Sequence, residues 1–279
     1  MATPKNKSVM KAFNMLRAFR APDEWLTSAE LSRRARLPEA SGYRLIQTLE
    51  EIGAVIRDGR GRYGPGMLLV SLSRNVARER LLRVAANAII EELAAELDLI
   101  VHMGVFDEGM VTYVAKAGAN VRFRVHTEVG AQLEAYCSGL GKILLAALPT
   151  GELEAFMQEG ELIALTANTI VDQVKFRAEI DRVRRQGWAV DDCETAINLR
   201  CVALPVHDAS GRVVAAISSS DDQSRMTPDR VIEVRVALQK AATAIAANLY
   251  RTGGPSPFNA PQRPAAPLGA WPANAAAVH

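Results

Sequence analysis

The sequence predicts an α+β fold in which an N-terminal winged helix-turn-helix is joined by a linker helix to an α/β domain. Three observations support this prediction. Three short helical patterns and a basic hairpin pattern fill the first 66 residues. Residues 67–97 contain neither proline nor glycine, so we expect them to be helical. From Ile100 onward, short strand patterns alternate with amphipathic helices, which is typical of a sheet covered by helices.

These patterns divide the chain into four predicted parts. The winged helix-turn-helix covers residues 1–66, the linker and dimerisation helix covers 67–80, and the α/β domain covers 81–251. Residues 252–279 are dominated by proline, alanine and glycine, so we expect a disordered tail there.

The composition is that of an ordinary globular protein, with 49% hydrophobic and 23% charged residues in a chain of 279. No stretch approaches the run of about 18 apolar residues needed to span a bilayer, and residues 1–11 lack the apolar segment of a secretion signal. None of the three cysteines lies in a C-x-x-C arrangement. We therefore expect a cytoplasmic protein with reduced thiols and no membrane partner.

Charge is distributed unevenly along the chain. Residues 1–83 contain 16 Lys and Arg against 8 Asp and Glu, whereas residues 84–279 contain 17 against 23. The net charge of +2 therefore combines a basic N-terminal part with an acidic remainder. Because contact with phosphates is mainly electrostatic, this asymmetry favours binding of a polyanion through the N-terminal part. A solvated basic surface is the alternative.

Three helices are predicted in the N-terminal part. Apolar residues spaced three and four apart predict the first helix over residues 8–19. Thr27 or Ser28 can cap the second helix, and Glu30 lies three residues after Thr27, where it would complete a capping box. The third helix is predicted over residues 38–52, and a glycine ends it.

The faces of the third helix predict different roles. At about 100° per residue, one stripe would bury against the first two helices, namely Pro38, Gly42, Leu45, Leu49 and Ile52. Tyr43, Arg44 and Gln47 fall on the opposite face, which is free to enter a DNA groove, and Arg and Gln can pair with base edges. Ser41 and Thr48 lie on one flank, where their hydroxyls would contact phosphate oxygens.

A hairpin pattern follows the third helix. Apolar and basic residues alternate over residues 54–63, on either side of Asp58 and Gly59. This Asp-Gly pair is a turn signal. Three arginines would lie where a wing approaches the sugar-phosphate backbone, namely Arg57, Arg60 and Arg62. The three helices, the hairpin and the basic charge together predict a winged helix-turn-helix that binds double-stranded DNA.

The helical segment 67–97 carries two apolar rows, separated by a polar patch near residue 79 where two helices can join. The first row contains Leu68, Leu69, Leu72 and Val76, and we expect it to pair with its copy in a second subunit. The second row is expected to pack on the C-terminal domain and contains Leu82, Ala85, Ile89, Leu93 and Leu97. The alternative is that both rows are simply core.

The C-terminal part alternates strands and helices. The predicted strands are 100–106, 110–115, 121–126, 188–190, 201–206 and 213–219. The predicted helices are 139–148, 173–185 and 228–250.

Several short stretches occur in a familiar order along this framework. They are Leu37-Pro38, Arg44-Leu45 and Gln47-Thr48-Leu49 around the third helix, then Gly139-Leu140-Gly141-Lys142, Gly187-Trp188-Ala189-Val190-Asp191-Asp192, Cys201-Val202-Ala203, and Ala215-Ala216-Ile217-Ser218 with Arg225. In this order and spacing, the chain resembles the IclR family of bacterial transcription regulators from about residue 8 to residue 250.

The resemblance implies a winged helix-turn-helix, a dimerising linker helix and a C-terminal α/β domain related to GAF-type sensors. It implies a homodimer or homotetramer that binds a pseudo-palindromic operator and responds to a small organic or aromatic acid, without a cofactor. The effector positions of the family, carried onto this sequence, are Gly139, Leu140, Asp191, Cys201, Ser218 and Ser220.

The chemistry of these residues suits a carboxylate. The free amides and the dipole at the start of the helix at Gly139 favour an anion, typically by about 0.3–1 kcal/mol. Ser218 and Ser220 project from one side of a strand, because strand side chains alternate with a period of two. Asp191 can accept from a ligand hydroxyl or only cap a turn, and Cys201 can contact the ligand or only pack in the core.

The sequence departs from the family pattern in the loop before the cysteine. Asn198 and Leu199 stand where the family usually has Gly and Val, so this loop can shape a different pocket. Four residues that precede the helix at 139 are further candidates for specificity, namely Arg122, Arg124, His126 and Tyr136.

An enzyme and a metal or redox sensor are the alternative functions. The stretch 137–142 superficially looks like a nucleophile or phosphate loop, but Tyr136 stands where a P-loop needs glycine, and Ile143 follows the lysine. The histidines lack the spacing of catalytic bases, and the cysteines with His207 match no usual zinc pattern. We therefore expect neither catalytic residues nor a metal site.

Overall fold

The structure is a computed structural model that describes residues 4–21, 23–118 and 127–250. The chain divides into two compact units, Met1–Ala77 and Arg78–His279. This division falls inside the segment predicted as a linker helix.

The first unit combines four helices with a small hairpin. The elements are α1 (Lys7–Leu16), α2 (Ser28–Arg34), α3 (Glu39–Glu51), β1 (Val55–Arg57), β2 (Tyr63–Pro65) and α4 (Met67–Ser73). The hairpin strands are antiparallel, and Leu26 forms a further bridge to Tyr63. The predicted capping box is confirmed, because Thr27 Oγ1 accepts from the Glu30 amide at 3.2 Å and the Glu30 carboxylate accepts from the Thr27 amide at 2.9 Å.

The buried face of α3 differs from the predicted stripe. Ile46 is fully buried together with Gly42 and Leu49, whereas Pro38 is exposed and Ile52 is 55% exposed. At about 100° per residue, Ile46 and Leu49 point within about 40° of Gly42, on either side of it, whereas Ile52 points about 80° away from Gly42. Ile52 also lies at the C-cap, just outside the helix. Burial of Pro38 and Ile52 is therefore a wrong prediction, and Ile46 replaces them in the core.

The close crossing of α2 and α3 depends on the absence of a side chain at Gly42. A Cβ placed there would lie 2.0 Å from Oγ of Ser32, which is itself buried and donates to the Ser28 carbonyl at 2.7 Å. Gly42 thus permits the helix contact that presents the opposite side of α3 to solvent.

The helical segment after the hairpin consists of two helices, α4 and α5 (Arg78–Leu97). Residues 74–77 separate them, so the two predicted helices are present and their join lies a few residues before residue 79, while the linker and dimerisation role of 67–80 stays a prediction. The separating stretch contains an asparagine and a β-branched valine, which are weaker helix formers than the residues around them.

The two apolar rows of this segment have different surroundings. Leu68 and Leu69 pack against the core of the first unit, whereas Leu72 and Val76 are 56% and 51% exposed. The second row lies in α5 and packs in the core of the second unit, as expected.

Within its described residues, the second unit is built on a six-stranded antiparallel sheet. The strands are β3 (Ile100–Asp107), β4 (Met110–Ala117), β5 (Gln132–Glu134), β6 (Ala189–Asp192), β7 (Leu199–His207) and β8 (Val213–Asp222). Their order in the sheet is β5-β4-β3-β8-β7-β6. The predicted strands within the described residues are present, although β5 was not predicted.

Helices cover both faces of this sheet. Two helices pack on one face, namely α5 and α9 (Pro228–Asn248). Three pack on the other, namely α6 (Gly139–Ala147), α7 (Thr150–Gln158) and α8 (Gln173–Gln186). The second face carries small residues that let α6 approach closely, and a Cβ placed at Gly104 would lie 3.3 Å from Cδ1 of Leu140.

Some expectations were incomplete or lie outside the described residues. Helix α7 was not predicted, because Pro149 and Gly151 favour a loop, whereas Pro149 is in fact its N-cap. The strand predicted over 121–126 and the tail predicted over 252–279 lie outside the described residues. Within the described residues, no helix is both long and apolar enough to cross a membrane.

Candidate functional site

The solvent-facing side of α3 carries the residues predicted to contact DNA. Tyr43, Arg44, Gln47 and Thr48 are exposed, and Ser41 is half-buried. The Thr48 hydroxyl donates to the Arg44 carbonyl at 3.1 Å, so it is held on the helix surface. The structure thus brings the predicted base-reading and phosphate-binding side chains together on one helix.

The wing positions its three arginines differently. Arg62 donates from Nε to the Asp58 carboxylate at 2.9 Å, and the Asp58 side chain also accepts the amides of Arg60 and Arg62. Arg57 lies over the Tyr63 ring, 5.7 Å from its centroid, and the Arg60 side chain is exposed. Arg62 therefore stabilises the hairpin turn, whereas Arg60 extends into solvent.

A cavity of about 220 Å³ lies between α6 and the sheet of the second unit, and we call it the sheet cavity. All six residues carried over from the family line it, namely Gly139, Leu140, Asp191, Cys201, Ser218 and Ser220. Eight further described residues line it that were not predicted, namely His102, Tyr113, Thr127, Leu133, Ser138, Thr195, Ala196 and Leu199.

The N-terminus of α6 forms one wall of the sheet cavity. Ser138 is the N-cap, and its hydroxyl accepts from the Gly141 amide at 3.1 Å and donates to the Glu134 carbonyl at 2.9 Å. This leaves the amides of Gly139 and Leu140 without an acceptor among the described residues. These two free amides and the helix dipole therefore favour the binding of an anion at the N-terminus of α6.

Gly139 has little room for a side chain, because α6 begins directly against the sheet. A Cβ placed there would lie 3.2 Å from Sγ of Cys201, 3.3 Å from Cβ of Ala203 and 3.7 Å from the backbone N of Asp191. The free amides therefore lie over β6 and β7 rather than over a loop.

Strand pairing brings the polar residues of the sheet face together. Ser220 is paired with Cys201, and Cys201 is paired with Asp191 on the next strand. Ser218 is paired with His102 on the other side of β8. Residues distant in sequence thus form two short rows, Asp191–Cys201–Ser220 and Ser218–His102, which are neighbours because Ser218 and Ser220 lie on the same side of β8.

Asp191 both borders the cavity and holds a turn. Its Oδ1 accepts the amides of Glu194 and Thr195 at 2.7 and 3.2 Å. Burial raises the pKa of Asp191, and the hydrogen bonds from Thr195 and the Glu194 amide oppose that shift. The turn-capping role considered from the sequence is therefore present, and it coexists with a position at the cavity wall.

Cys201 is buried in β7 at the floor of the cavity. Burial raises the pKa of its thiol to about 12, and the charge of Asp191 adds to the shift. Cys201 is therefore a protonated thiol at neutral pH and offers a weak hydrogen-bond donor at most.

His102 and Tyr113 are the largest polar side chains that the sequence analysis missed. His102 lies on β3 with its Nε2 at 2.6 Å from Thr127 Oγ1, and its ring is 4.8 Å from the ring of Tyr113. The signal that could have identified His102 is a single titratable residue within the otherwise apolar predicted strand 100–106. The pairing of His102 with Ser218 could be recognised only once the order of the strands in the sheet was known.

A buried ionic cluster of Lys142, Glu179 and Glu194 lies beside the sheet cavity. Lys142 Nζ contacts the carboxylate of Glu194, lies 3.2 Å from Oε1 of Glu179 and donates to the Val190 carbonyl at 3.0 Å. Burial raises the pKa of Glu194, and Lys142 opposes this shift. Lys142 follows the glycines of α6, so the cluster ties that helix to the segment after β6.

The other specificity candidates do not contribute to the described lining. The Tyr136 hydroxyl donates to the Ile163 carbonyl at 2.9 Å, and Tyr136 does not line the sheet cavity. Arg122, Arg124 and His126 lie outside the described residues. Asn198 adopts a positive φ of 63°, a conformation that favours glycine and is tolerated by asparagine.

Two family models match the chain over most of its length. The model described as the C-terminal part of the bacterial transcriptional regulator IclR matches residues 75–247, and the IclR helix-turn-helix domain matches residues 8–59. The chain belongs to the IclR family. It is thus a transcriptional regulator with a helix-turn-helix DNA-binding domain, as the sequence resemblance implied.

Curated relatives of this IclR-family chain are themselves named as regulators. The regulator KipR of Bacillus subtilis is 29% identical over 248 residues, which cover 89% of this chain and 99% of KipR. The Pca regulon regulatory protein of Pseudomonas putida is 31% identical over 221 residues, which cover 79% of this chain and 76% of that protein.

Solved structures share the fold. A transcriptional regulator from Rhodococcus sp. RHA1 is 28% identical, with a TM-score of 0.59 and coverage of 88% of this chain and 98% of its own. An IclR homologue from Microbacterium hydrocarbonoxydans, crystallised with 4-hydroxybenzoate, is 20% identical, with a TM-score of 0.57 and coverage of 87% and 98%. These likenesses support an IclR-type α+β architecture.

Proposed function

We propose that this IclR-family chain binds its operator under the control of a small organic or aromatic acid that occupies the sheet cavity. The observation that carries the proposal is the convergence of four separate segments, at 139–140, 191, 201 and 218–220, on one cavity beside the N-terminus of α6. Such convergence of a few polar groups on a concave site is typical of small-molecule binding.

The lining favours a carboxylate at the α6 end. The amides of Gly139 and Leu140 would donate to the carboxylate oxygens of the ligand. The hydroxyls of Ser218 and Ser220 would supply the remaining hydrogen bonds to these oxygens. Removal from water strengthens each of these interactions. A structural neighbour with the same fold was crystallised with 4-hydroxybenzoate, which is an aromatic acid. This supports the proposed class of ligand by analogy.

Operator contacts are proposed for α3 and the wing. Tyr43, Arg44 and Gln47 would face the bases of the major groove. Four of the predicted residues would contact phosphates, namely Ser41, Thr48, Arg57 and Arg60, whereas Arg62 is held by Asp58 in the hairpin turn. The basic balance of the first part of the chain favours this arrangement.

We further propose that the chain acts as a homodimer or homotetramer on a pseudo-palindromic operator in the cytoplasm. Leu72 and Val76 expose apolar surface on and just after α4, where a second subunit would cover them. A two-fold protein assembly would match two operator half-sites one helical turn or its multiples apart.

An enzyme or a metal or redox sensor is less well supported. Burial raises the pKa of the Cys137 and Cys201 thiols to about 12, which disfavours a reactive thiolate. Among the described residues there is no group of three or more His, Cys, Asp or Glu side chains placed to hold a metal ion.

The test uses the full-length protein and the promoter that adjoins its own gene. A thermal-shift screen against small organic and aromatic acids would identify ligands, and fluorescence anisotropy with the promoter would measure DNA affinity with and without them. We expect at least one acid both to raise the melting temperature and to change operator affinity. Acids that bind without changing DNA affinity would contradict the proposed regulation.

A further inference from the structure

A turn outside the sheet cavity holds the segment that forms one of its walls. Asp191, Thr195 and Ala196 line the cavity, and the segment that contains them begins at the end of β6. Two threonines from another part of the chain, Thr166 and Thr169, donate to the backbone of this segment. Neither threonine belongs to the described lining of the cavity, so any effect on the site passes through the segment that they hold.

The 166–169 turn is closed by its own hydrogen bonds. The Thr169 amide donates to the Thr166 carbonyl at 3.3 Å. Thr169 Oγ1 accepts the amides of Leu165 and Thr166 at 3.1 and 2.9 Å, and Thr166 Oγ1 accepts the amide of Asn168 at 3.1 Å. Threonine and asparagine side chains often bond nearby backbone groups in this way. Because both hydroxyl oxygens accept amides of the turn, their hydrogens are directed outward from it.

The outward hydrogen bonds all reach the backbone after β6. Thr166 Oγ1 donates to the Cys193 carbonyl at 2.6 Å, and Thr169 Oγ1 donates to the Glu194 carbonyl at 2.7 Å. The asparagine of the turn donates to the carbonyl of the preceding residue at 3.0 Å. Side chains of one short turn therefore bind three consecutive carbonyls of the segment that forms the wall.

The peptide groups that the threonines bind are also the ones that bind Asp191. The Cys193 carbonyl shares a planar peptide group with the Glu194 amide, and the Glu194 carbonyl shares one with the Thr195 amide. Asp191 Oδ1 accepts these two amides at 2.7 and 3.2 Å. In a trans peptide the carbonyl and the amide point in opposite directions, so a bond at the carbonyl end fixes the direction of the amide.

We infer that Thr166 and Thr169 are positioning residues of the sheet cavity, which fix Asp191 and the adjoining wall through these two peptide groups before a ligand binds. This inference rests on the proposed function, because it assigns the two threonines a role in the site for the acid. A hydrogen bond at one end of a peptide group polarises the group and strengthens the bond at its other end. A wall that is ordered in advance also reduces the cost of ordering it on binding.

Loss of one of these hydroxyls should affect the cavity wall more than the rest of the fold. The hydrogen bond from Thr169 to Glu194 is buried, so without it the carbonyl is left unpaired and its peptide group is free to turn. Asp191 then loses a donor that balances its charge beside the proposed carboxylate position. The ion pair between Lys142 and Glu194 does not involve either hydroxyl, so it still attaches the segment to α6.

The thiols of the protein report on this wall without a ligand. The sequence has three cysteines, and all are buried. Cys193 belongs to the held segment, Cys201 lines the cavity, and the Cys137 carbonyl accepts from the Thr195 hydroxyl at 3.3 Å. The disulfide reagent DTNB, used on the full-length protein at about pH 8, reacts with thiols only when they become accessible. We expect Thr169→Val to react about tenfold faster than the parent.

Three further variants make this measurement specific. Thr169→Ser keeps the hydroxyl and should react at the parental rate. Thr166→Val repeats the test at the other peptide group, where the side chain is only half-buried, and should also react faster. Thr243→Val is the matched control, because the Thr243 hydroxyl donates to the Gln239 carbonyl at 2.9 Å on α9, and it should react as the parent does. The melting temperature of each variant separates local opening of the wall from unfolding of the whole protein.

Acid binding tests whether the turn acts through Asp191. Isothermal titration calorimetry of the full-length protein uses benzoate and 4-hydroxybenzoate as probes. We expect Thr169→Val to bind the acid about tenfold more weakly and to keep the parental DNA affinity in the absence of acid. In an Asp191→Ala background, Thr169→Val should have no further effect on acid affinity, because residues that act through one contact are not additive.

The outcomes distinguish this inference from the proposed function. Parental thiol rates in both valine variants, or a Thr169→Ser variant that reacts as fast as Thr169→Val, would overturn the inference. Additive effects of Thr169→Val and Asp191→Ala on acid affinity would overturn it as well. Absence of binding of both acids to the parent would count against the proposed function, whereas the thiol rates would still decide whether the turn holds the wall.

Discussion

Lys142 and Glu194 form an ion pair that is almost completely buried beside the sheet cavity, with side chains 1% and 6% exposed. The Glu194 amide donates to Asp191, which lines the sheet cavity, so Asp191 connects the ion pair to the cavity wall. Oε2 of Glu194 is buried without a hydrogen-bond partner among the described residues. Among the described residues, the Glu194 carboxylate therefore has its ion pair with Lys142 of α6.

Replacing Lys142 with methionine should destabilise the protein strongly. The change keeps most of the side-chain volume but leaves the Glu194 carboxylate buried without its cation. Loss of one partner of a buried pair typically lowers the free energy of unfolding by about 3–5 kcal/mol. Urea unfolding of the full-length chain measures this. Glu233→Gln is the control, since Glu233 is 64% exposed and its loss should change stability by less than about 0.5 kcal/mol. Equal stability of the Lys142 variant and the parent would show that the cluster is not needed.

Acid binding should strengthen as the pH falls. Burial raises the pKa of Asp191, so as the pH falls from neutral to mildly acidic values its protonated fraction exceeds that of an ordinary aspartate, and a protonated Asp191 no longer repels a ligand carboxylate. His102, with a pKa lowered to about 3, stays neutral in this range. Glu194 also has a raised pKa, so Asp191→Asn is needed to assign the effect, and it should remove most of the slope. Calorimetry at several pH values would reveal an opposite trend if Asp191 acts only as an acceptor.

Arg44→Ala should weaken specific operator binding by roughly 1–3 kcal/mol, because Arg44 lies on the exposed side of α3 where it can reach base edges. Fluorescence anisotropy with the mapped operator and a scrambled duplex measures the specific part. Arg185→Ala removes the same charge from α8 in the second unit and is the control. Unchanged operator affinity in the Arg44 variant would mean that another side of α3 faces the DNA.

The salt dependence of binding should distinguish two wing arginines. Arg60 is exposed, so Arg60→Ala should reduce the slope of log K against log salt by about 0.9, the value for one phosphate contact. Arg62 is bonded to Asp58, so Arg62→Ala should instead lower the stability of the hairpin and reduce DNA affinity at every salt concentration. Identical salt slopes for the parent and the Arg60 variant would exclude Arg60 from the phosphate contacts.

Ser218→Ala combined with Ser220→Ala should abolish the response to the acid and leave DNA affinity without ligand largely intact. The two hydroxyls line the sheet cavity, and both belong to the second unit. Operator binding with and without the identified acid is the readout, and the melting temperature checks that the variant is folded. A response that persists in the double variant would remove these serines from the binding site.

The sequence alone predicted the local elements well, because their signals lie within a few residues. The capping box of Thr27 and Glu30, the hairpin after Gly53 and the strand pattern from Ile100 all arise from short-range rules. Burial on α3 was predicted less well. The choice of Ile46 over Ile52 depends on where α1 and α2 pack, and periodicity alone leaves neighbouring positions nearly equivalent.

By itself, the sequence determined the order of most elements apart from β5 and α7, the basic N-terminal part and, through motif resemblance, six residues that converge on one cavity. Only the tertiary structure revealed the partners of those residues. His102 pairs with Ser218, and Lys142 contacts Glu194. The residues of each pair are distant in sequence and are brought together by the strand order and the helix packing. Such contacts depend on side chains that meet only after the sheet has formed, and no local pattern encodes them.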